Sequence, residues 1–319
     1  MSDLMTRRRV LQNGSLMALA STCRSAFAQA VPRSSFGAES TAEEVTAGLD
    51  LSGRTAVVTG CNSGIGYETM RVLALRGAHV IGTARSVEKG RDAANSVTGR
   101  VTPVVLELTD FDSIAACADQ IQAIDVAIDM LILNAGVLLR ELQQVRGLEM
   151  QFVVNHLGHF ILGNRLMNRV IDAPEGRVVV VGSAAHRRVP EGGIQFDRLS
   201  GEGWSRQGYG HSKLANGLYS LELSKRLAGT RATSNAIHPG GVRTNIMRNI
   251  SPGGGGGGKT PAQGAATQCY VATNPALAGV TGQYFADCNP AEQSAHQKDE
   301  VMAAHLWEVS EELTRDYLV

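Results

Sequence analysis

The chain has 319 residues, 43% hydrophobic and 19% charged, which suits one large globular domain or two small ones. Basic and acidic residues cancel to a formal net charge of zero, so no charged field directs the chain to nucleic acid or an anionic membrane. Cys23, Cys61, Cys117, Cys269 and Cys288 lack C-x-x-C spacing, which argues against a zinc site or a disulfide framework.

The N-terminus carries Thr6-Arg7-Arg8-Arg9-Val10-Leu11, the form of a twin-arginine export motif. The apolar stretch behind it is too short and too polar to span a bilayer. Ala26-Phe27-Ala28 offers a small-residue cleavage site. Residues 1–28 are therefore expected to export the chain to the periplasm; the alternative is a basic tail on a cytoplasmic protein. Residues 29–50 read as an arm or short helix, and 51–319 as the domain proper.

Arg54 to Thr59 is a short apolar, β-branched run, hence a buried strand. The turn Gly60, Cys61, Asn62, Ser63, Gly64, Ile65, Gly66 follows at once, and Tyr67 to Arg76 reads as a helix. Strand, glycine turn and helix together make a pyrophosphate cradle, because free N–H groups and the dipole at a helix N-terminus favour an anion. His79 to Ala84 is the second strand, ending in Arg85. A site for NAD(H) usually carries Asp or Glu here for the ribose hydroxyls, and none stands between His79 and Val87. An arginine pairs with a 2′-phosphate instead, so NADP(H) is expected over NAD(H).

Val101 to Leu108 is a third strand and Asp110 to Ile124 a helix. Met130 to Leu133 is a fourth strand, leaving through Asn134-Ala135-Gly136, small enough to lie against a flat ring. Gly147 to Asp172 reads as one long helix containing Asn155. Arg177 to Gly182 is a fifth strand with Ser183 at its C-terminal edge. Tyr209 to Ala228 is a helix, Thr233 to His238 the sixth strand, and Pro239-Gly240 stops it. Lys259 to Asn274 is a helix, Thr281 to Phe285 a seventh strand, and Glu300 to Thr314 a closing helix. This alternation predicts an α/β fold: a single doubly wound Rossmann domain, its parallel, seven-stranded sheet covered by helices on both faces. Ligands then bind beyond the C-terminal strand ends, where Gly60 to Gly66, Arg85, Asn134 and Ser183 all fall.

Tyr209 and Lys213 stand four residues apart, on one helix face. A free phenol titrates near ~10. An ammonium one turn away is expected to favour the phenolate and lower that value, giving an acid–base group suited to alcohol–carbonyl interconversion.

The glycine turn, Asn134-Ala135-Gly136, Asn155, Ser183, Tyr209-x-x-x-Lys213 and Pro239-Gly240 occur in an order and spacing that resemble the short-chain dehydrogenase/reductase superfamily, from Leu51 to Phe285. The runs Gln151 to Phe160, His211 to Asn216 and Gly282 to Cys288 resemble its retinol-dehydrogenase-like group. The resemblance implies a general acid or base at Tyr209, with Lys213 tuning it and holding the nicotinamide ribose. It implies that Ser183 hydrogen-bonds the substrate oxygen and that Asn155 binds a relay water. Asn134 is then expected to border the adenosine, with Thr244 reaching the nicotinamide amide. Glu107-Leu108 stands where the family often has Asp-Leu against adenine. Residues 184–208 form an inserted loop at the pocket mouth. The lid at 240–262 and the 184–208 loop suggest a medium-sized, partly apolar small-molecule alcohol, aldehyde or ketone as substrate. Pairing of the two long helices is expected to give a homodimer or homotetramer.

Gly253 to Thr260 matches the P-loop pattern, but Ser251-Pro252 rather than a strand leads into it, and successive glycines are costly to order. The stretch 240–262 reads instead as a lid with Ile246, Met247 and Ile250 as apolar contacts. His156 and His159 have the spacing of a metal pair, and helix packing is the plainer reading. Cys61 reads as a small structural residue; in an exported chain Cys269 and Cys288 have the option of pairing. Two rival functions keep the fold. A sugar-nucleotide epimerase or dehydratase normally has a larger C-terminal domain than this chain. A non-catalytic NADP-binding sensor would be marked by loss of Ser183, Tyr209 or Lys213.

Overall fold

The computed structural model describes residues 31–204, 207–246 and 258–318. The twin-arginine motif, the cleavage site and the lid residues Met247 and Ile250 lie outside them.

The order begins with a one-turn helix α1 (Ala42–Val45), capped by a reciprocal Thr41–Glu44 box. Strand β1 (Thr55–Val58) leads into α2 (Gly64–Leu75), then β2 (His79–Ala84), α3 (Val87–Asn95), β3 (Arg100–Val105), α4 (Phe111–Gln122) and β4 (Met130–Leu133). A small hairpin of β5 (Gln144–Val145) and β6 (Leu148–Glu149) precedes α5 (Met150–Phe152), a π-turn (Val153–Leu157) and α6 (Gly158–Ile171). The chain continues through β7 (Arg177–Val181), α7 (Gly208–Arg226), β8 (Thr233–His238), α8 (Pro261–Thr273), β9 (Tyr284–Ala286), β10 (Asn289–Pro290) and α9 (Glu300–Thr314).

Among the described residues the main sheet runs β10-β9-β8-β7-β4-β1-β2-β3. The seven expected strands are parallel, and the correction is an eighth: β10 pairs antiparallel with β9. It is two residues long and carries a proline, too short for its sequence to show a strand period. Every residue of β1, β2, β4 and β7 is buried, as strands covered on both faces must be. Two apolar cores flank the sheet: one joins α4, α6, α7 and α9, the other α1, α2 and α8. The strand order reverses between β1 and β4, so their C-terminal ends open the crevice where a ligand fits.

Three further readings change. The expected helix Gly147–Asp172 starts at Met150, behind the hairpin, and is interrupted by the π-turn around Asn155. Helix α3 escaped the sequence because only Gly90 and Ala93 of it are buried, which leaves no apolar stripe. The inserted loop gains an anchor that the sequence did not show: Trp204 stacks on His211 with centroids 3.9 Å apart.

Candidate active site

The crevice is built first by backbone. Gly60 has φ +76°, so its left-handed turn favours glycine. A Cβ on Gly66 would lie 2.2 Å from the Gly60 carbonyl oxygen, and one on Gly64 would press on Thr244 at 3.2 Å. The turn is therefore a cradle that side chains would fill. Its helix starts at Gly64, not Tyr67, which leaves the first N–H groups of α2 facing the turn. The β4 exit is pinned beside it: the Asn134 and Ala135 N–H groups donate to Thr59 Oγ1 at 2.8 and 2.9 Å, and Asn134 Nδ2 donates to the Thr59 carbonyl at 2.8 Å. These groups fit a dinucleotide pyrophosphate.

Asn62 and Ser63 line a cleft of about 420 Å³ together with Tyr67, Lys89 and Asn245. Lys89 was missed in the sequence, since it belongs to the unread helix α3. Arg85 is exposed at the end of β2. The Glu107 carboxylate turns back to accept from Thr109 N–H and Oγ1 at 3.1 and 2.9 Å. Leu108 packs inward, so close to Gly158 that a Cβ there would meet it at 2.8 Å. Ile65 approaches Gly264 of α8. Pro239 is buried, and the Lys259 side chain crosses Gly240 to reach Asp287 at 2.6 Å. Thr244 stands over Gly64, on the phosphate side of the cradle. The two ends of the lid are zipped at its base, Lys259 N–H to the Gly241 carbonyl at 2.8 Å and Arg243 N–H to the Lys259 carbonyl at 3.0 Å.

Ser183, Tyr209, Lys213 and Asn155 converge across the crevice. Ser183 ends β7 and caps the turn Ala184–Arg187, accepting from Ala185 N–H at 3.2 Å. Its hydroxyl is also near enough to the Tyr209 phenol to act on its titration. Lys213 Nζ donates to the Val181 carbonyl at 2.8 Å and lies 5.7 Å from the centroid of the Tyr209 ring. A Cβ on Gly136 would sit 2.9 Å from Asn155 Oδ1 and 3.7 Å from Lys213 Nζ, so these groups share one corner. Asn155 Oδ1 accepts from Val137 N–H at 2.8 Å, and its Nδ2 donates to the Val137 carbonyl and Ser212 Oγ at 3.0 and 2.9 Å. Both its donor hydrogens are thus committed.

The electrostatics differ from the sequence expectation. Burial pushes the Tyr209 phenol up, and the opposing pull comes from the Ser183 hydroxyl. Burial lowers Lys213 to about 7, so its own charge is marginal at neutral pH. The remaining residues behave as structural groups. His156 pairs with Ser310 at 2.8 Å among Phe152, Phe160 and Tyr219. Cys61, Cys269 and Cys288 are buried free thiols, and burial raises the first two to about 12.

A doubly wound sheet with a glycine cradle at its switch point defines a dinucleotide-binding α/β protein. The family model described as short chain dehydrogenase matches residues 54–254. The chain is 39% identical over 300 residues to the short-chain dehydrogenase TIC 32 B, chloroplastic, of Brassica napus, covering 87% of this chain and 94% of that protein. It is likewise 39% identical over 279 residues to retinol dehydrogenase 11 of Homo sapiens, covering 83% and 87%. An uncharacterized protein from Mycobacterium paratuberculosis matches in structure with a TM-score of 0.70 at 32% identity, covering 85% of this chain and 97% of that one. A chain described as an NAD(P) dependent gluconate 5-dehydrogenase from Beutenbergia cavernae, with bound NADP, matches at 0.61 and 26% identity over 75% and 96%. The chain belongs to the short-chain dehydrogenase family and is an oxidoreductase with retinol-dehydrogenase-like relatives.

Proposed function

We propose that this oxidoreductase interconverts an alcohol and a carbonyl by hydride transfer, with NADP(H) as its cofactor. The observation that carries the reading is the corner where Lys213, donating to the Val181 carbonyl at 2.8 Å, lies 5.7 Å from the Tyr209 ring centroid, with Ser183 just past the end of β7. Two hydroxyls there meet one substrate oxygen. Ser183 orients it, and Tyr209 gives or takes its proton as charge develops. A nicotinamide, when bound, supplies or accepts the hydride. Lys213 holds the ribose and neutralises the phenolate, and Asn155 fixes the corner beside Lys213. Tyr209→Phe removes the proton and keeps the ring. NADPH should still bind with turnover lost by at least about a thousandfold; unchanged turnover refutes the assignment.

The NADP(H) preference rests on Arg85 at the end of β2 and on the absence of a carboxylate between His79 and Val87. Arg85→Ala should weaken NADPH about tenfold or more and leave NADH within about twofold, read by fluorescence titration. Equal losses for both remove the 2′-phosphate argument. The substrate is a medium-sized, partly apolar alcohol, aldehyde or ketone, selected by the loops at 184–208 and 240–262. The segment 1–28 acts as a twin-arginine export signal and 29–50 as an arm of the mature chain.

A further inference from the structure

We infer that His159, outside the expected Ser-Tyr-Lys-Asn set, is a positioning residue that ties the strand ends on the cofactor side to the helix turn carrying Tyr209 and Lys213. The inference rests on the function proposed above and adds a residue to it.

The direction of each hydrogen bond follows from its partners. Thr59 Oγ1 accepts from the N–H groups of Asn134 and Ala135. A hydroxyl has two acceptor positions and one proton, so the remaining proton goes to His159 Nε2, 2.9 Å away. That nitrogen is an acceptor, which assigns the ring proton to Nδ1. Nδ1–H then donates to the Asn155 carbonyl at 3.0 Å, inside the π-turn. Asn155 Nδ2 donates onward to Ser212 Oγ at 2.9 Å, and the Ser212 hydroxyl donates to the Tyr209 carbonyl at 2.9 Å. The links run in one sense from the exit of β4 to the first turn of α7; at Asn155 the tie passes from the backbone carbonyl to the side-chain amide through the residue itself, so it positions rather than polarises.

His159 is the member with no substitute. Its two ring nitrogens face opposite ways, one toward β1 and one toward the π-turn, and only a neutral imidazole accepts at one and donates at the other. The ring is buried and lies close enough to Lys213 to feel its charge; together these hold it down to about 4. Protonation would place a second donor against the Thr59 hydroxyl and break the chain. His156, on the same turn, has a separate partner in Ser310.

Two amide substitutions divide the roles. In His159→Asn the side-chain amide nitrogen takes the place of Nδ1 and keeps the bond to the Asn155 carbonyl. In His159→Gln the amide reaches the place of Nε2, satisfies Thr59 and loses that bond. The full-length variants are compared for Tm, NADPH affinity, kcat and the solvent deuterium isotope effect on kcat. Each variant breaks one of the two bonds, so the expected result is matched Tm and NADPH affinity with kcat lower by about tenfold in both and an altered isotope effect. Wild-type kcat in either variant, or an unchanged isotope effect, overturns the inference. Should either variant fail to fold, Ser212→Ala reads the chain from its other end: a comparable fall in kcat supports it, and wild-type kcat overturns it. The chain is also testable without turnover. Long-range nitrogen–proton NMR of the wild type near neutral pH should show His159 neutral and protonated at Nδ1; a charged or Nε2-protonated ring defeats the inference. A wild type with that tautomer and no alcohol or carbonyl turnover would instead defeat the proposed function.

Discussion

Lys213 shows how one buried residue trades stability for chemistry. Its ammonium has a single carbonyl partner, and burial brings it to about 7, from ~10.4 in an unfolded chain. Between those values the unfolded chain holds the extra proton. Stability therefore rises with pH across that window, and the penalty is fully present below 7. Lys213→Met removes the charge and keeps most of the bulk. At pH ~6 it should melt a few degrees above wild type, with the gain shrinking as pH approaches ~10. A Tm difference that does not change with pH would contradict a lysine buried in this way. The pairing of Lys213 with Tyr209 was legible because a four-residue spacing fixes a shared helix face. The sign of the phenol's shift was not, because it depends on burial, which no spacing reports. His159 was illegible for a related reason: Thr59 stands 100 positions away in sequence.

The helix α7 illustrates a second limit. From Gly210 to Ser220 every residue is buried. What covers it is the chain's own α9. Trp307 packs on Phe160 and Tyr219 with centroids 4.9 and 5.7 Å away, Arg226 sits 4.1 Å over the Trp307 ring, and Lys225 meets Glu300 at 2.8 Å. The helix pair expected to join two subunits is thus largely occupied within one. The protein should run as a monomer in light scattering at micromolar concentration, and a dimer whose interface maps to α6 and α7 would refute that. The sequence showed α7 and α9 as separate helices, α9 with the observed bounds and α7 within two residues of them, but which one covers the other is a tertiary fact. The π-turn was hidden similarly, since one extra residue in a helical turn hardly disturbs an apolar pattern.

At the scale of the whole molecule, valine-rich strands alternating with helices were enough to read the doubly wound sheet. Where the arm docks was not readable, because its contacts are made with residues far along the chain. Ser34 N–H donates to Asn289 Oδ1 at 3.0 Å, Ser34 Oγ to the Cys288 carbonyl at 2.9 Å, and Phe36 lies edge-on to Tyr270 at 6.0 Å. Residues only a few positions beyond the expected cleavage site are thus part of the folded body. An export route that carries folded protein suits such a chain. Arg7→Lys with Arg8→Lys should then leave the protein in the cytoplasm, read by fractionation; continued export would exclude the twin-arginine route.

The same arm has a consequence for the sheet it touches. An open parallel sheet ends in unpaired N–H and C=O groups, which recruit strands from other molecules. Here β9 is closed by β10, whose Pro290 has no N–H to offer. Asn289 binds the Phe36 carbonyl at 2.8 Å beside it, so the arm lies along that margin. Loosening the arm would uncover an adhesive edge, and self-association into aggregates should appear before global unfolding.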